Sequence, residues 1–303
     1  VGPTAVGKTA LSIALAKKFN GEIISADSMQ IYNDMNIGSA KPTLEEMDGV
    51  KHYLIDEVDP SIEFSVSDYA PKALDYIDKI SSEGKLPIVV GGTGLYVNSI
   101  MYEMDFSKSS ENKELRARYE KIAAENGNEY LYNILLDKDP KAAKTVHMNN
   151  VKRVIRALEI HEETGQGKKD FASEPMLRED LNIILIGLTR NRKKLYARIN
   201  KRVELMFEAG LLKEVENLKN NGLSAINRSM QGIGYKEVLI FEDGKCDYDQ
   251  MVSLIKQSSR RYAKRQITWF KRYDFIKWFD YDQIKDIDAL EDAITIHIRD
   301  NLI

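Results

Sequence analysis

Near its start the chain reads Gly2-Pro3-Thr4-Ala5-Val6-Gly7-Lys8-Thr9, which satisfies the pattern Gly-x4-Gly-Lys-Ser/Thr. Glycines let consecutive backbone N–H groups curl around an anion, and the dipole of a following helix adds positive potential. Lys8 supplies a point charge to the phosphates, and the hydroxyl of Thr9 suits a magnesium ion that the phosphates also bind. Such a loop normally follows a buried strand, of which only Val1 is present, so we expect a few residues to precede it. The stretch therefore predicts a site for a di- or triphosphate group, although the pattern does not specify ATP.

The elements after this loop alternate between helical and strand patterns. Apolar residues recur at helical spacing over Lys8 to Phe19, which disfavours a chance match in a glycine turn. Glu22 to Ala26 and Leu86 to Val90 are predicted strands, Tyr53 to Asp56 is a weaker one, and Ser65 to Ser82 is a predicted helix. Continuous apolar strands between helices are typical of a parallel sheet covered on both faces. We therefore predict an α/β fold with a P-loop NTPase-like sheet.

The pattern changes in the middle of the chain. From Lys113 to Thr164 helical stretches follow one another without a convincing strand, and Gly165 to Leu181 is polar and irregular, which suggests a mobile segment. Asn182 to Leu188 is again a predicted strand, and a long helix is predicted from Tyr248 to Tyr273. We therefore expect an all-helical insertion in an α/β domain. The expected divisions are a P-loop core over residues 1–112, a helical insertion over 113–181, and a mostly helical second part of the core over 182–303.

The composition fits a soluble globular protein with a real core. The 303 residues are 43% hydrophobic and 30% charged, and no apolar run approaches the length of about 18 residues that a membrane helix needs. Cys246 is the single cysteine, which excludes a disulfide within the chain and favours a reducing cytoplasm. The absence of a Cys-x-x-Cys pair makes structural zinc unexpected.

The charge of the chain is balanced overall but locally clustered. A net charge of −3, from 44 basic and 47 acidic residues, taken alone argues against a nucleic-acid-binding protein. Two basic clusters change this interpretation, because binding of a nucleic acid depends on the local electrostatic field and not on the net charge of the chain. Basic runs are usually solvated helix faces, but two of them in an acidic protein favour contact with a phosphate backbone. The clusters are Lys152, Arg153 and Arg156, and Arg260, Arg261, Lys264, Arg265, Lys271 and Arg272.

Two features lie at the carboxyl ends of predicted strands, where open α/β sheets place their ligands. The strand Leu86 to Val90 ends in Gly91-Gly92-Thr93-Gly94, a close backbone turn, rather than in the acidic residue usual in P-loop ATPases. Asp27 follows the strand Glu22 to Ala26. It is a candidate magnesium ligand or general base, but a helix cap is the safest interpretation of this residue alone. An ordinary glycine turn is likewise the alternative for Gly91 to Gly94.

Several longer segments are more informative in combination. They are Gly2 to Thr9, Ile24-Ser25-Ala26-Asp27-Ser28-Met29-Gln30-Ile31-Tyr32, Ile37-Gly38-Ser39-Ala40-Lys41-Pro42, Val90-Gly91-Gly92-Thr93-Gly94-Leu95-Tyr96, Lys152-Arg153-Val154-Ile155-Arg156-Ala157-Leu158-Glu159, Gln231-Gly232-Ile233-Gly234-Tyr235-Lys236-Glu237 and Lys264-Arg265-Gln266-Ile267-Thr268-Trp269-Phe270. In this order they resemble the tRNA dimethylallyltransferases, also called tRNA isopentenyltransferases. The resemblance covers nearly the whole chain, and several segments are very specific to that family.

The resemblance implies a reaction for the phosphate loop. In that family the loop holds the diphosphate of dimethylallyl diphosphate, and the acceptor is the exocyclic amine of the adenosine just 3′ of the anticodon. Asp27 is then the general base that accepts the amine proton. Lys8 and the rest of Gly2 to Thr9 bind the diphosphate, and Arg202 matches an arginine that contacts it. Magnesium is the expected cofactor, with Thr9 as its protein ligand.

The resemblance also implies a surface for tRNA. Thr93 lies at the mouth where the adenosine enters, Gln30 belongs to the segment that reads the target base, and the helical insertion carries further contacts. We expect a cytoplasmic, membrane-free enzyme, a monomer without an obligate protein partner. The implied tRNA-binding residues are Asp27, Ser28, Met29, Gln30, Thr93, Arg116, Lys152, Arg153, Val154, Ile155 and Arg156.

The helix that carries Arg202 gives some independent support. Arg198 and Arg202 are four residues apart, so they lie on one side of the apolar stripe and point together. Without the resemblance, two solvated arginines would be slightly favoured. The chain departs from the family where His147-Met148-Asn149-Asn150 replaces a His-Pro-Asn-Asp segment and where Val6 replaces a common serine; the backbone N–H groups of the loop do not depend on the latter. The stripe is Leu195, Ile199, Val203, Met206 and Phe207.

Two other functions fit a phosphate loop with an aspartate at the sheet edge. A small-molecule or nucleoside kinase would phosphorylate its substrate at the expense of ATP. An RNA-binding switch protein would use a nucleotide to change shape without forming a covalent product. The transferase instead consumes an allylic diphosphate and needs no ATP.

Overall fold

The computed structural model describes residues 1–104, 112–164, 176–284 and 286–302. The chain forms two compact units, one made of Val1–Met101 with Glu179–Ile303 and the other of Tyr102–Arg178. Part of the predicted irregular segment, residues 165–175, lies outside the described residues. None of the helices among the described residues is both long and apolar enough to cross a membrane.

The first part of the larger unit alternates helices and strands. A three-stranded parallel sheet has the order β2-β1-β3, and its register pairs Ser25 with Val90 and Ala26 with Gly91. Because β1 and β3 are parallel, their carboxyl ends meet at one edge, where Asp27 and Thr93 follow. The elements are α1 (Lys8–Lys18), β1 (Gly21–Ala26), α2 (Leu44–Met47), β2 (His52–Tyr53), α3 (Val66–Ser82), β3 (Leu86–Gly91) and α4 (Gly94–Met101).

Local sequence signals account for α3. Ser65 forms a capping box with Asp68, which satisfies N–H groups at the start of the helix. The buried residues of α3 include Tyr69, Ala73, Ile77 and Ile80, the stripe that the sequence predicts. The predictions of this helix, of α1 and of the strands β1 and β3 are confirmed, whereas the weak strand at Tyr53 to Asp56 is shorter and earlier.

The smaller unit is helical over the described residues 112–164. Its core is formed by buried apolar residues that include Tyr119, Leu131 and Leu158. The carboxylate of Glu159 is fully buried and pairs with two arginines, one on the first and one on the last helix. The helices are α5 (Lys113–Asn126), α6 (Asn128–Lys138), α7 (Pro140–Thr145) and α8 (Val151–Thr164).

The last part of the chain returns to the larger unit. Its first strand begins later than predicted, and a second short strand, which the sequence analysis did not predict, pairs with it in parallel. By hydrogen bonding these two strands form a separate sheet, and Val1 pairs with Ile186 and Leu188 of the first. The elements are β4 (Ile186–Thr189), α9 (Arg192–Glu208), α10 (Leu211–Asn220), α11 (Tyr235–Glu242), α12 (Tyr248–Phe270), β5 (Lys277–Asp280) and α13 (Ile287–Asn301), with a 3-10 turn at Ser229–Gln231.

The phosphate loop is anchored in the main core of this unit. Val6 is fully buried and belongs to one apolar cluster with residues of α1, β4, α9, α12 and α13. Leu195 and Ile199 of α9 and Ala263 of α12 are members of that cluster. These contacts bring α9 and α12, which are distant in sequence, against the loop.

Candidate active site at the phosphate loop

The loop before α1 has the backbone that an anion cradle requires. Gly2, Ala5 and Gly7 all have positive φ, at 151°, 63° and 116°. Gly7 is also the residue before α1, and a Cβ there would lie 2.7 Å from the hydroxyl of Tyr281. Only glycine therefore suits this position, both for its conformation and for the close contact.

Side chains from three later parts of the chain, two helices and the residue after β5, hold the loop from outside. Arg198 Nε donates to the carbonyl of Ala5 at 2.9 Å, and the hydroxyl of Tyr281 donates to the carbonyl of Gly7 at 3.0 Å. Gln266 Oε1 accepts the N–H of Thr4 at 2.8 Å. Because two carbonyl oxygens and one N–H group of the loop are bound by these side chains, the rest of the protein supports the conformation of the loop.

Lys8 lies across its own loop. Its Nζ donates to the carbonyls of Gly2 at 3.0 Å and Pro3 at 2.9 Å. Burial lowers the pKa of Lys8 to about 8; the charge of Asp27 opposes this shift and that of Arg202 adds to it. The lysine charge therefore depends on pH within the physiological range, and Asp27 helps to retain it.

Arg202 reaches the same loop from α9. Its Nη1 lies 3.3 Å from the hydroxyl of Thr4, one helical turn from the contact of Arg198 with Ala5. Burial and the neighbouring Arg198 lower the pKa of Arg202, while Glu46 and Asp27 oppose the shift. The structure thus brings Arg202, Lys8 and the loop together. Arg198 is exposed, as a solvated arginine would be, but its Nε also binds the loop.

Asp27 and Thr93 lie at the carboxyl ends of adjacent strands. Asp27 Oδ1 accepts the N–H of Met29 at 2.9 Å, which forms a local turn rather than a helix cap. The N–H of Thr93 donates to the carbonyl of Ala26 at 3.1 Å, and its hydroxyl accepts the N–H of Ser28 at 3.1 Å. The glycine turn is therefore tied to the segment that carries Asp27.

The chain that carries this phosphate loop, with two arginines and an aspartate at the sheet edge, is similar to several known proteins. The family model of IPP transferase matches residues 30–273. A tRNA dimethylallyltransferase of Clostridioides difficile is 53% identical over 301 residues, which cover 99% of this chain and 96% of the relative. The chain belongs to the IPP transferase family. This confirms the resemblance drawn from the sequence segments.

Solved structures agree with this family membership. A tRNA isopentenylpyrophosphate transferase of Bacillus halodurans is 44% identical with a TM-score of 0.75, over 99% of this chain and 94% of that one. A eukaryotic dimethylallyltransferase acting on tRNA is 30% identical with a TM-score of 0.82, over 99% of this chain and 78% of that one. The chain therefore has the mixed fold of helices and a small parallel sheet of tRNA isopentenyltransferases. A curated relative in Acetivibrio thermocellus, 54% identical over 284 residues, is also a tRNA dimethylallyltransferase.

Gln30 is held in place by other residues of the protein. Its Oε1 accepts the hydroxyl of Ser25 at 3.2 Å, and its Nε2 donates to the carbonyl of Ala40 at 3.2 Å. The amide thereby supports the segment between Asn36 and Pro42. Ser28 and Met29 are half-buried beside it.

Glu214 is a site-supporting residue that the sequence analysis missed. Its carboxylate accepts the N–H groups of Asn36 at 2.9 Å, Ile37 at 2.7 Å and Gly38 at 3.0 Å, and the hydroxyl of Tyr235 at 2.7 Å. An acidic residue on the apolar face of α10, next to Leu211 and Val215, was the available signal. A buried carboxylate thus fixes the loop that follows Gln30.

The sequence analysis also missed two residues of α12 at the site. It quoted Gln266 only within a family segment and included Tyr262 only in the long helix predicted from Tyr248 to Tyr273. Tyr262 interacts with the side chains of Thr93 and Gln266, and burial, with the charge of Asp27, raises its pKa to about 12. The i, i+4 spacing of these two polar residues inside an apolar stripe was the signal that marked them.

The predicted RNA-binding residues of the helical unit are not equivalent. Lys152 and Arg153 are exposed, whereas Val154 and Ile155 are buried at 0% and 2% exposure in the core of that unit. These two side chains hold α8 to its neighbours, so the proposed RNA surface excludes them. The sequence analysis included these two residues because they belong to the segment Lys152 to Arg156 that resembles the family.

Arg116 and Arg156 are organised by a shared carboxylate. Arg116 donates to both oxygens of Glu159, through Nε at 2.9 Å and Nη2 at 3.0 Å, and Arg156 donates from Nη1 at 3.0 Å. Both arginines are about a third exposed, at 32% and 29%. They combine a structural role with a charge that faces solvent.

Proposed function

We propose that the protein transfers the dimethylallyl group of dimethylallyl diphosphate to the exocyclic amine of the adenosine 3′ of the anticodon in tRNA, with release of diphosphate. The observation that carries this proposal is the arrangement of Lys8, Arg202 and Asp27, whose charges interact at the mouth of the phosphate loop. Cations there suit a diphosphate leaving group, and a carboxylate beside them suits an acceptor that loses a proton. Membership of the IPP transferase family favours this reaction over the kinase alternative.

The phosphate loop acts as the leaving-group clamp in this proposal. The arrangement is P-loop NTPase-like, with residues Gly2 to Thr9 cradling the diphosphate at the start of α1. As the carbon–oxygen bond to the diphosphate breaks, negative charge develops on the leaving oxygen. Lys8, Arg202 and the loop N–H groups are held in place beforehand, so they stabilise that charge without reorganisation.

Asp27 serves as the general base. The amine nitrogen attacks the allylic carbon, a carbon–nitrogen bond forms, and the nitrogen proton becomes acidic as its electron pair is shared. The Asp27 carboxylate accepts that proton. Thr93, tied to Ser28, sits where the flipped adenosine enters, and an unpaired loop base is less costly to extrude than a paired one.

A magnesium ion fits this site as an expected cofactor. No group of three or more His, Cys, Asp or Glu side chains suited to a metal occurs among the described residues. Mg²⁺ does not need such a group, because it keeps several waters and binds through one or two protein oxygens and the phosphates. Thr9, exposed in the first turn of α1, supplies one hydroxyl oxygen. The ion would add positive charge at the leaving group.

The helical unit supplies a surface for the anticodon stem. Lys152 and Arg153 are exposed and Arg116 and Arg156 carry positive charge, so this part of residues 113–181 suits contact with RNA phosphates. Asp27, Ser28, Met29, Gln30 and Thr93 are proposed to contact the target nucleotide. The reaction requires no membrane and no protein partner, and we expect a monomeric cytoplasmic enzyme.

A labelling experiment tests the proposal. The protein is incubated with Mg²⁺, labelled dimethylallyl diphosphate and an anticodon stem-loop that carries adenosine 3′ of the anticodon. We expect labelled RNA without added ATP, and no label when that adenosine is replaced by inosine, which lacks the exocyclic amine. Folded protein that yields no labelled RNA contradicts the transferase. Transfer of label from γ-labelled ATP to a small molecule would support the kinase instead.

A further inference from the structure

The side chain of Gln266 connects two loops of the site. Its Oε1 accepts the N–H of Thr4 in the phosphate loop at 2.8 Å, and its Nε2 donates to the carbonyl of Gly92 at 3.0 Å. The residue is 4% exposed, so neither bond competes with bulk water. The amide of one side chain on α12 thus binds both the phosphate loop and the loop that carries Thr93.

The backbone at Gly92 is shaped for this amide. A Cβ added to Gly92 would lie 2.0 Å from Nε2 of Gln266, and the carbonyl oxygen of Gly2 would be only 3.3 Å away. A side chain at position 92 would therefore displace the amide, the phosphate loop or both. The glycine that looked like part of an ordinary turn is required for close contact between the loops.

Tyr262, one helical turn before Gln266, extends the connection. It interacts with the side chains of both Thr93 and Gln266. Thr93 in turn accepts the N–H of Ser28, next to Asp27. A continuous chain of contacts therefore leads from Thr4 through Gln266 to the segment that carries the proposed base.

We propose that Gln266 is a positioning residue that sets the separation between the diphosphate-binding loop and the acceptor side of the site. This inference rests on the proposed function, because it concerns the approach of the donor carbon to the acceptor amine. Reacting atoms must be held about 3–3.5 Å apart, and a shift of about 1 Å in their placement costs about 100-fold in rate. Holding both loops on the same helix fixes that approach before the substrates bind.

A purely structural role predicts different behaviour. Loss of structure would lower the amount of folded enzyme, which reduces the amplitude of single-turnover transfer but leaves its rate constant and pH profile unchanged. A positioning role predicts that kcat for transfer falls while KM for the allylic diphosphate changes little, since Lys8 and Arg202 still bind the diphosphate. The distinction is therefore measurable in kinetics.

Gln266→Glu makes the distinction sharper because its hydrogen bonding depends on protonation. When the introduced carboxyl group is deprotonated, it accepts the N–H of Thr4 but has no proton to donate to the carbonyl of Gly92, whereas the protonated group makes both bonds. We expect single-turnover transfer by this variant to be about 100-fold slower than wild type at about pH 8 and to approach the wild-type rate as the pH falls. Taking the ratio to wild type at each pH removes any pH dependence that the two proteins share.

Two further variants complete the test. Gln257→Glu, an exposed position on the same helix, should keep the wild-type pH profile, and Gln266→Leu should be slow at every pH. Product from the wild type in this assay establishes the transfer itself. If the pH profile of the Gln266→Glu transfer rate runs parallel to that of wild type, the positioning role is overturned but the transfer itself is not. The same holds if the substitution changes only KM for the donor.

A double-mutant cycle provides a second measurement that does not depend on pH. Gly92→Ala should slow wild type strongly, because the new Cβ displaces the amide, but should slow a Gln266→Ala background much less. Circular dichroism and the thermal midpoint verify that each variant is folded. Additive effects of the two substitutions on the transfer rate overturn the proposal.

Discussion

The Nη1 atom of Arg202 on α9 lies 3.3 Å from the hydroxyl of Thr4. This contact connects the phosphate loop with a helix that is distant from it in sequence. The contact is made by a planar guanidinium, which offers several donors in a fixed arrangement, and the pKa of this group is lowered by burial. A lysine at this position would keep the charge but not the arrangement of donors.

Arg202→Lys therefore tests the geometry of the leaving-group clamp. We expect kcat to fall about 100-fold, the effect typical of removing one donor to a developing anion. Arg192→Lys on the same helix, an exposed position, should stay within about twofold of wild type, as usual for an exposed position away from the site. Single-turnover transfer rates measure both, and equal rates for the two variants would contradict the role of Arg202.

Asp27→Asn tests the general base with little change in shape. Asparagine still accepts the N–H of Met29, so the local turn is kept while the proton acceptor is lost. We expect transfer to fall by about 100-fold or more, with donor affinity nearly unchanged at a pH well below the pKa of Lys8, where Lys8 is charged in both proteins. Calorimetric titration with dimethylallyl diphosphate measures the affinity. Full activity in the variant would exclude Asp27 as the base.

The depressed pKa of Lys8 predicts a pH dependence of donor binding. A lysine with a pKa of about 8 in the free protein loses its charge as the pH rises through that value, so affinity for the diphosphate should fall above it. Because the charge of Asp27 raises this pKa, Asp27→Asn should shift the fall to lower pH. Lys8→Met provides the control, since its weaker binding should not show this transition.

Glu214→Gln tests the carboxylate that holds the loop after Gln30. The glutamine keeps the size of the side chain but loses the charge that accepts three backbone N–H groups, and we expect a loss of about 2–3 kcal/mol in unfolding free energy. Hydrogen exchange at Asn36 and Gly38 should accelerate. Glu216→Gln, exposed on the same helix and paired with Lys213, should change stability by less than about 0.5 kcal/mol. Urea unfolding compares the two, and indistinguishable stabilities would refute the role of Glu214.

The exposed cations of α8 are expected to bind RNA through its phosphates. Lys152→Ala and Arg153→Ala should each weaken stem-loop binding and reduce the slope of log affinity against log salt by about one. Lys121→Ala, on α5, where the lysine pairs with Glu125, should leave that slope unchanged. Filter binding at several salt concentrations gives the slopes. Unchanged slopes for both α8 variants would remove this face from the proposed RNA surface.

The parts of the fold that the sequence predicts are those with local signals. The phosphate loop, α1, β1, β3 and α3 each have a periodic pattern, a cap or a glycine within a few residues. The strand β5 was missed because Lys277–Asp280 is too short to show alternation, and its pairing partner lies about ninety positions earlier in the sequence.

The residues of the candidate site also fall into those with a local sequence signal and those without one. Asp27 and Thr93 each follow a predicted strand, and Lys8 belongs to the phosphate-loop motif. Their proximity therefore follows from the parallel sheet. Gln266 and Glu214 instead act on backbone groups far away in sequence, through single polar atoms on otherwise apolar helix faces. Such a residue has no repeating pattern, and only the assembled fold shows which N–H group it meets.

The phosphate loop depends on contacts with residues that are synthesised much later than the loop itself. Its partners Arg198, Gln266 and Tyr281 are separated from the loop residues they bind by 193, 262 and 274 positions. Contacts of large sequence separation form slowly, and a ribosome delivers these partners long after the loop itself. A nascent chain that ends before β5 would therefore carry the motif without its final geometry, and the proposed binding of diphosphate would arise only after Tyr281 has been synthesised.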